Sequence, residues 1–238
     1  MACMDEFGQP VGRAVSWTPP ATLPALTATG RTVAIAPLAL EHAEGLWEAL
    51  GPGRSQWTYM SVEPPTGVDD LRRIVAGYLE APGWVPHVIT GLDGGVLGMA
   101  SLLRIRPAEG AAEIGAISYG VRLRRATAGT EAMTLLAEHA FSAGYRRYEW
   151  KCDALNAASR AAATRLGFRF EGIWHNALVY KGRNRDTAWY AMTDDDWQRI
   201  RPVHEAWIEG TETGANGHQA FRLSEATAAL WDDEGDTR

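Results

Sequence analysis

Two short stretches carry residues whose types and spacing could do chemistry. The first is Arg122-Leu123-Arg124-Arg125-Ala126-Thr127-Ala128-Gly129-Thr130, which follows a strand-like run and opens a helical one. A helix start presents unpaired backbone N–H groups and a partial positive charge, and together these hold phosphate. Arg124 and Arg125 add charge, while Ala126, Ala128 and Gly129 are small enough to let a diphosphate approach the backbone. A charged turn before an ordinary surface helix explains the same letters, because strand–turn–helix junctions are common. The second stretch is Asn156-Ala157-Ala158-Ser159, opening a helix that closes on Leu166-Gly167-Phe168. Asn156 there has a plain structural reading as an N-cap.

Candidates for proton transfer and for substrate contacts are more scattered. Strand alternation puts Glu149, Lys151 and Asp153 on one face. Glu149 is the first candidate for a general base and Glu113 the second; a salt-bridged carboxylate is the competing reading for each. His175 is of the one residue type that ordinarily changes charge near neutrality, so it could act as a base or on a substrate, or simply pack in a turn. Arg183 and Arg185 offer planar, bidentate contacts to a carboxylate, against the alternative of a solvated connection. Trp57 and Tyr59 fall in a loop where an acceptor cleft could form, although most of the ten tryptophans are expected in the core or at its rim. Cys3 and Cys152 lie too far apart to indicate a disulfide framework or a metal site.

The elements that must position these residues follow from periodicity. Residues 31–37 alternate as a short strand, and residues 39–50 and 68–79 carry helical stripes, the second with Thr66 as its cap. Residues 84–90 and 96–105, joined by Asp93-Gly94-Gly95, read as a hairpin, and residues 111–121 as a further strand. The period then switches to helical through Ala143, and Gly144 sits where a C′ glycine ends a helix. A strand over 148–153, a helix over 156–166, and strands over 168–174 and 187–192 complete the order β-α-α-β-β-β-α-β-α-β-β. The polar run 181–186 reads as the connection between the last two strands. Residues 1–28 read as a flexible arm, 29–198 as the domain, and 199–238 as one more helix, a flexible link at 210–217 and a tail.

Composition bounds the partners. A net charge of −6 argues against a nucleic acid held by a general basic surface. The first ten residues contain acids and no apolar run, so no signal peptide is expected, and no stretch approaches a membrane span. The expected compartment is the cytoplasm, with neither a membrane nor a resident metal.

Residues 122–129, the pair Asn156 and Ser159, and Leu166-Gly167-Phe168 resemble the GNAT acyltransferases, in the branch of the ribosomal-protein N-terminal acetyltransferases. In element order the likeness covers residues 31–197. It implies an α+β fold: a central mixed, mostly antiparallel sheet of six to seven strands flanked by helices and splayed between strands four and five. It also implies an acyl-CoA-dependent N-acyltransferase, with acetyl-CoA or another short acyl-CoA as donor and a primary amine of a small molecule or protein N-terminus attacking directly in a ternary complex. The backbone of Ser118, Tyr119, Gly120 and Val121 would pair with the pantetheine, and an N–H near Tyr119 and Gly120 would hold the oxyanion. Arg124, Arg125, Ala126, Thr127, Ala128, Gly129 and Thr130 would hold the pyrophosphate, Asn156 would bond the pantetheine arm, and Ser159 would protonate the leaving thiolate.

One departure is that Thr127 stands where the family places a glycine; a helical φ there would spare it strain and offer its hydroxyl to phosphate. Glu131 must then turn away from the diphosphate. Three alternatives remain at this level: a silent acyl-CoA-binding module, an aminoacyl-tRNA-dependent transferase on the same fold, and a nucleotide-binding domain. The last lacks a Gly-x-Gly-x-x-Gly after the first strand. A homodimer is expected from the apolar Trp174, Leu178 and Tyr180 and from the stripe after Trp197.

Overall fold

The computed structural model describes residues 3–51, 53–210 and 221–232. A small hairpin of β1 (Cys3–Met4) and β2 (Pro10–Val11) precedes one eight-stranded sheet. That sheet contains β3 (Ala28–Thr29), β4 (Val33–Pro37), β5 (Val85–Gly91), β6 (Val96–Arg106), β7 (Ala111–Tyr119), β8 (Arg147–Asp153), β9 (Arg169–Tyr180) and β10 (Arg183–Thr193). Their spatial order is β3-β4-β5-β6-β7-β8-β10-β9, and only the β7–β8 pair is parallel. The helices are α1 (Ala43–Leu50), α2 (Val68–Glu80), α3 (Thr127–Ser142), α4 (Ala157–Arg165), α5 (Asp194–Glu209) and α6 (Leu223–Asp232). From β4 to β10 the element order is the one expected.

Two cores explain the composition of the central strands. Leu46, Leu50, Leu71 and Val75 of α1 and α2 close over Val88 and Met99 on one face. Ala132, Leu136 and Ala140 of α3 close over Ile35, Ile89 and Ile114 on the other. β5 and β6 are covered on both faces, so they are nearly continuous in apolar residues rather than alternating. The stripe of α5 (Trp197, Ile200, Trp207, Ile208) joins the second core; it does not face a partner.

Several expectations change. The sheet has eight strands rather than six or seven, because the two-residue β3 adds an edge. Residues 181–186 are no open connection: Tyr180 pairs directly with Arg183 across a two-residue turn, with Lys181 and Gly182 at φ 50° and 68°. Two successive positive φ values give a turn that matches strand twist, here without the Asn-Gly or Asp-Gly that usually signals it. Thr66 does not cap α2; Gly67 holds the cap position, and Thr66 donates its backbone N–H to Asp70.

The stretch read as a flexible arm is docked. Leu23 is fully buried, Trp17 donates to the Gly144 carbonyl at 3.0 Å, and Tyr145 donates to that of Ala21 at 3.2 Å. The boundary expected at 198/199 falls inside α5, whose capping box joins Thr193 and Asp196. Of the link expected at 210–217, all but Gly210 lies outside the described residues.

Candidate functional site

The site starts from a bulge. β7 and β8 pair from Ala111 and Arg147 to Ile114 and Trp150, then part, although β7 continues to Tyr119 and β8 to Asp153. At the parting point β7 carries one residue more than β6 between the pairs Ser101–Gly115 and Met99–Ser118. Ala116 takes up the extra length in a left-handed conformation, φ 49°. Bulges bend a strand and end its pairing, and a left-handed alanine costs roughly 1 kcal/mol. The splay therefore leaves the β7 edge over 115–119 turned toward a slot instead of toward β8.

The turn from β7 into α3 closes one end of this slot. Ala126 occupies the N-cap in an extended conformation and has no side chain able to cap the first-turn N–H groups. Thr127 is the first helical residue, so it escapes strain; the left-handed residue is Arg125, φ 56°. Arg124 is tied down, donating to the Tyr119 carbonyl at 2.8 Å and to Gln56. Arg125 is exposed. Gly129 is small for packing, not only for a ligand: a Cβ there would lie 2.5 Å from the Leu123 carbonyl oxygen. Thr130 turns its hydroxyl inward, accepting from Arg165 at 2.9 Å, which leaves only its backbone for a phosphate. Gly120 does not offer an oxyanion donor, since its N–H is bonded to the Leu97 carbonyl at 2.9 Å. Val121 is exposed and Ser118 buried. Glu131 turns away as required: its carboxylate accepts the N–H groups of Arg31 and Thr32 at 2.5 and 2.7 Å.

Across the slot, Asn156 caps α4, accepting the Ser159 N–H at 3.1 Å. The structural reading of Asn156 is thus correct, and it consumes one lone pair of the side-chain oxygen. Ser159 Oγ accepts the indole N–H of Trp150 at 2.9 Å, which leaves the hydroxyl proton free to be donated. Cys152 is buried beside it, and burial pushes its thiol pKa up, against a nucleophilic role.

Glu149 is not a poised base. Lys151 Nζ lies 2.8 Å from Glu113 and 3.1 Å from Glu149, and Arg104, Arg106 and Arg147 complete the cluster. Burial pushes the Glu149 carboxyl up, but the bonds from Arg147 and Lys151 outweigh it and hold the pKa below its usual value. The cluster lies where the two strands still pair, with Lys151 capped by Trp189, its Nζ 3.6 Å from the ring centroid. A base for this slot must come from elsewhere.

At the slot's open end the sequence signals were weakest. Asp153 accepts the Tyr180 hydroxyl at 2.9 Å and the Leu155 N–H at 2.8 Å. Tyr59 donates to the Leu155 carbonyl at 3.2 Å, and Lys181 to that of Trp57 at 2.7 Å, which latches the α1–α2 loop over this end. Trp57 itself is a core side chain, not a substrate contact. His175 sits on the edge strand β9, exposed, with Nδ1 2.8 Å from Asp186, rather than in a turn. Arg183 is exposed; Arg185 is half-buried, two residues before Thr187, which pairs with Asp153.

Residues 33–169 match the acetyltransferase (GNAT) domain. The structure resembles a GCN5-related N-acetyltransferase from Brucella melitensis at 33% identity and TM-score 0.85, over 90% of this chain and 99% of that one. A probable GNAT-family acetyltransferase from Chromobacterium violaceum matches at 34% identity and TM-score 0.74, over 80% and 99% of the two chains. The chain belongs to the GNAT acetyltransferases. In fold it is also similar to the ribosomal L7/L12 α-N-protein acetyltransferase RimL solved with coenzyme A, at 21% identity and TM-score 0.61 over 71% and 98% of the chains. No curated protein sequence matches the chain.

This GNAT enzyme is therefore an N-acetyltransferase of the α+β class, and enzymes of this family use acetyl-CoA. Of the residues singled out in its sequence, the fold gathers 118–121, 124–130, Asn156 and Ser159 around one slot and leaves Glu149, Trp57 and His175 outside it. Sequence reasoning missed Tyr180, Gln56 and Lys181, which come together only through the loop latch and the β9–β10 turn. Among the described residues no helix is long and apolar enough to cross a membrane.

Proposed function

We propose that this acetyltransferase moves an acetyl group from acetyl-CoA to a primary amine, by direct attack in a ternary complex. The slot between β7 and β8 carries this reading: an unpaired strand edge leading to a helix start with no side-chain cap suits a pantetheine arm and its diphosphate. When bound, acetyl-CoA supplies an already activated thioester. The first-turn N–H groups of α3 and Arg125 hold the diphosphate, and the amide of Asn156 bonds the arm. Ser159, its oxygen already engaged by Trp150, gives its proton to the departing sulfur. The amine's proton passes to Tyr180 Oη as the phenol's own proton moves to Asp153 Oδ2, 2.9 Å away. This pair replaces Glu149 as the base because it lies at the open end of the slot, where an acceptor enters.

The acceptor is a primary amine of a small molecule or of a protein N-terminus; RimL, which shares the fold, acetylates the latter. The acyltransferase works as a homodimer through the edge of β9, which exposes Phe170, Ile173, Trp174, Leu178 and Val179. Calorimetric titration with acetyl-CoA, followed by thiol release in the presence of an amine panel, tests the reading. Micromolar to sub-millimolar binding with amine-dependent release is expected. Binding without release to any amine would leave a silent module.

A further inference from the structure

Arg185 is a half-buried cation that meets no carboxylate among the described residues. Its Nε donates to Thr187 Oγ1 at 3.2 Å, and its guanidinium lies 5.9 Å from the Tyr180 ring centroid; neither contact neutralises it. Among the described residues nearby, Arg160 is likewise half-buried without a carboxylate, but it donates to the Tyr190 hydroxyl and the Ala154 carbonyl. The cations of the neighbouring cluster, Arg104, Arg106, Arg147 and Lys151, each meet a carboxylate within 3.2 Å. Arg183, two residues before it, is exposed and needs no partner. Asp153, level with Thr187 across the strand pair, turns its two oxygens to Leu155 and Tyr180 instead. A cation partly withdrawn from water is costly unless paired, so the two free N–H edges of this guanidinium suit an anion brought in from outside.

The place is specific. The β9–β10 register shifts between Arg185 and Thr187, but the Arg185 side chain bonds the Thr187 hydroxyl, so it lies on the face that Thr187 shares with its cross-strand partner Asp153. It stands one step beyond Asp153, at the open end of the slot. Burial and the bond to Asp153 push the Tyr180 phenol up to about 12, and burial pushes the Cys152 thiol up; the charge of Arg185 opposes both shifts, so it lies within electrostatic reach of each group. An amine attacking beside Tyr180 would therefore present whatever it carries a few bonds away to Arg185. The fork geometry of a guanidinium matches a carboxylate with two parallel bonds.

We propose that Arg185 binds a carboxylate at the slot's open end, so that the preferred acceptor is a small amine bearing a carboxylate near its nitrogen, as an α-amino acid does. This rests on the acetyl-transfer reading above and narrows it, away from a protein N-terminus, whose first residue has no free carboxylate beside the amine. The same chemistry could arrive on the donor, as the distal carboxylate of a dicarboxylic acyl-CoA. Two assay arms separate the sources.

In the first arm, the full-length protein is given acetyl-CoA and acceptors in matched sets: α-amino acids, their amides, their decarboxylated amines and short peptides. Wild type should show kcat/KM on the order of 10²-fold higher for the carboxylate member than for its amide, as sites built around a polar partner do. Arg185→Ala should collapse that ratio to a few-fold, mainly through KM, with acetyl-CoA affinity unchanged; Arg185→Lys should restore part of it. In the second arm, succinyl-CoA replaces acetyl-CoA with the amide acceptors. A preference for the succinyl donor that Arg185→Ala removes would keep the carboxylate and move it to the acyl chain. Equal rates for carboxylates, amides and peptides in wild type, with no succinyl preference, would overturn the proposal. So would a ratio that survives Arg185→Ala. Absence of both acetyl-CoA binding and acetyl transfer would instead bring down the acetyltransferase reading, and this one with it.

Discussion

Ser159 and the two loop arginines show how local geometry divides work between similar residues. Ser159 Oγ is held by the Trp150 indole and its N–H by Asn156, so the hydroxyl is fixed in place with its proton to spare. Ser159→Ala should lower kcat about 10²–10³-fold with little change in acetyl-CoA affinity. It should also cost roughly 1–2 kcal/mol of stability, because the indole N–H loses its acceptor. Steady-state kinetics and calorimetry on one preparation check this; an unchanged kcat would leave water as the proton donor. Arg124 and Arg125 look equivalent in the sequence, yet Arg124 is bonded to Tyr119 and Gln56 while Arg125 is exposed with a left-handed backbone. Arg125→Glu should therefore weaken acetyl-CoA binding on the order of tenfold or more at low salt, and less at high salt. Arg124→Glu should act instead by loosening the α1–α2 loop. Titration of both variants at two salt concentrations separates the two effects, and equal losses with equal salt dependence would refute the distinction.

At the scale of elements, the seam between α3 and α5 contains a buried histidine. His204 Nδ1 lies 2.9 Å from the Thr134 hydroxyl, and burial, with the nearby charge of Arg165, pulls the His204 pKa down to about 4. In the unfolded chain a histidine titrates near 6.5. Between these values the unfolded state binds the proton and the folded state does not, so stability rises with pH across this window and is fully present above it. The contribution of His204 is about 3 kcal/mol over the window, at roughly 1.4 kcal/mol per unit. His87, buried under β3 and accepting the Leu26 N–H, titrates in the same direction at about 4. His204→Leu should flatten, without abolishing, the loss of stability from pH 6.5 to 4. Denaturant unfolding at several pH values measures the slope, and an unchanged slope would assign the whole effect to other groups.

The molecule as a whole is organised around one parallel strand pair in an otherwise antiparallel sheet. Everything that serves the slot lies where that pair opens: the bulge at Ala116, the start of α3, the start of α4, and the loop latched by Lys181 and Tyr59. The far edge of the sheet, β9, is twelve residues long and exposed, with the Trp174 ring tilted against that of Trp189, centroids 4.2 Å apart. With the stripe of α5 buried inside its own chain, the case for a dimer rests on this edge. Sedimentation equilibrium at micromolar concentration should give twice the mass of one chain, and Val179→Lys should return it to a monomer. A wild-type monomer would mean the edge is protected by its bulge and its charged neighbours alone.

The succession of elements was legible in the sequence because periodicity and chain punctuation are local: the helical stripes of α1 to α5 and the glycines at 144 and 167, both left-handed, mark their elements unaided. The phosphate loop and the Asn156–Ser159 pair were legible for the same reason, since a helix start positions its own neighbours. What the sequence could not decide was which charged and aromatic side chains would be satisfied by one another. Glu149 looked like a base until Arg106, brought in from β6, joined Lys151 and Arg147 of its own strand in claiming it. Tyr180 and Asp153, twenty-seven positions apart, meet only because Lys181 and Gly182 turn β9 back onto β10. Trp57, placed in a loop by its sequence, went to the core because α1 and α2 close over it. Local pattern determined the scaffold; long-range pairing, which depends on how strands register and where they part, decided the chemistry left free within it.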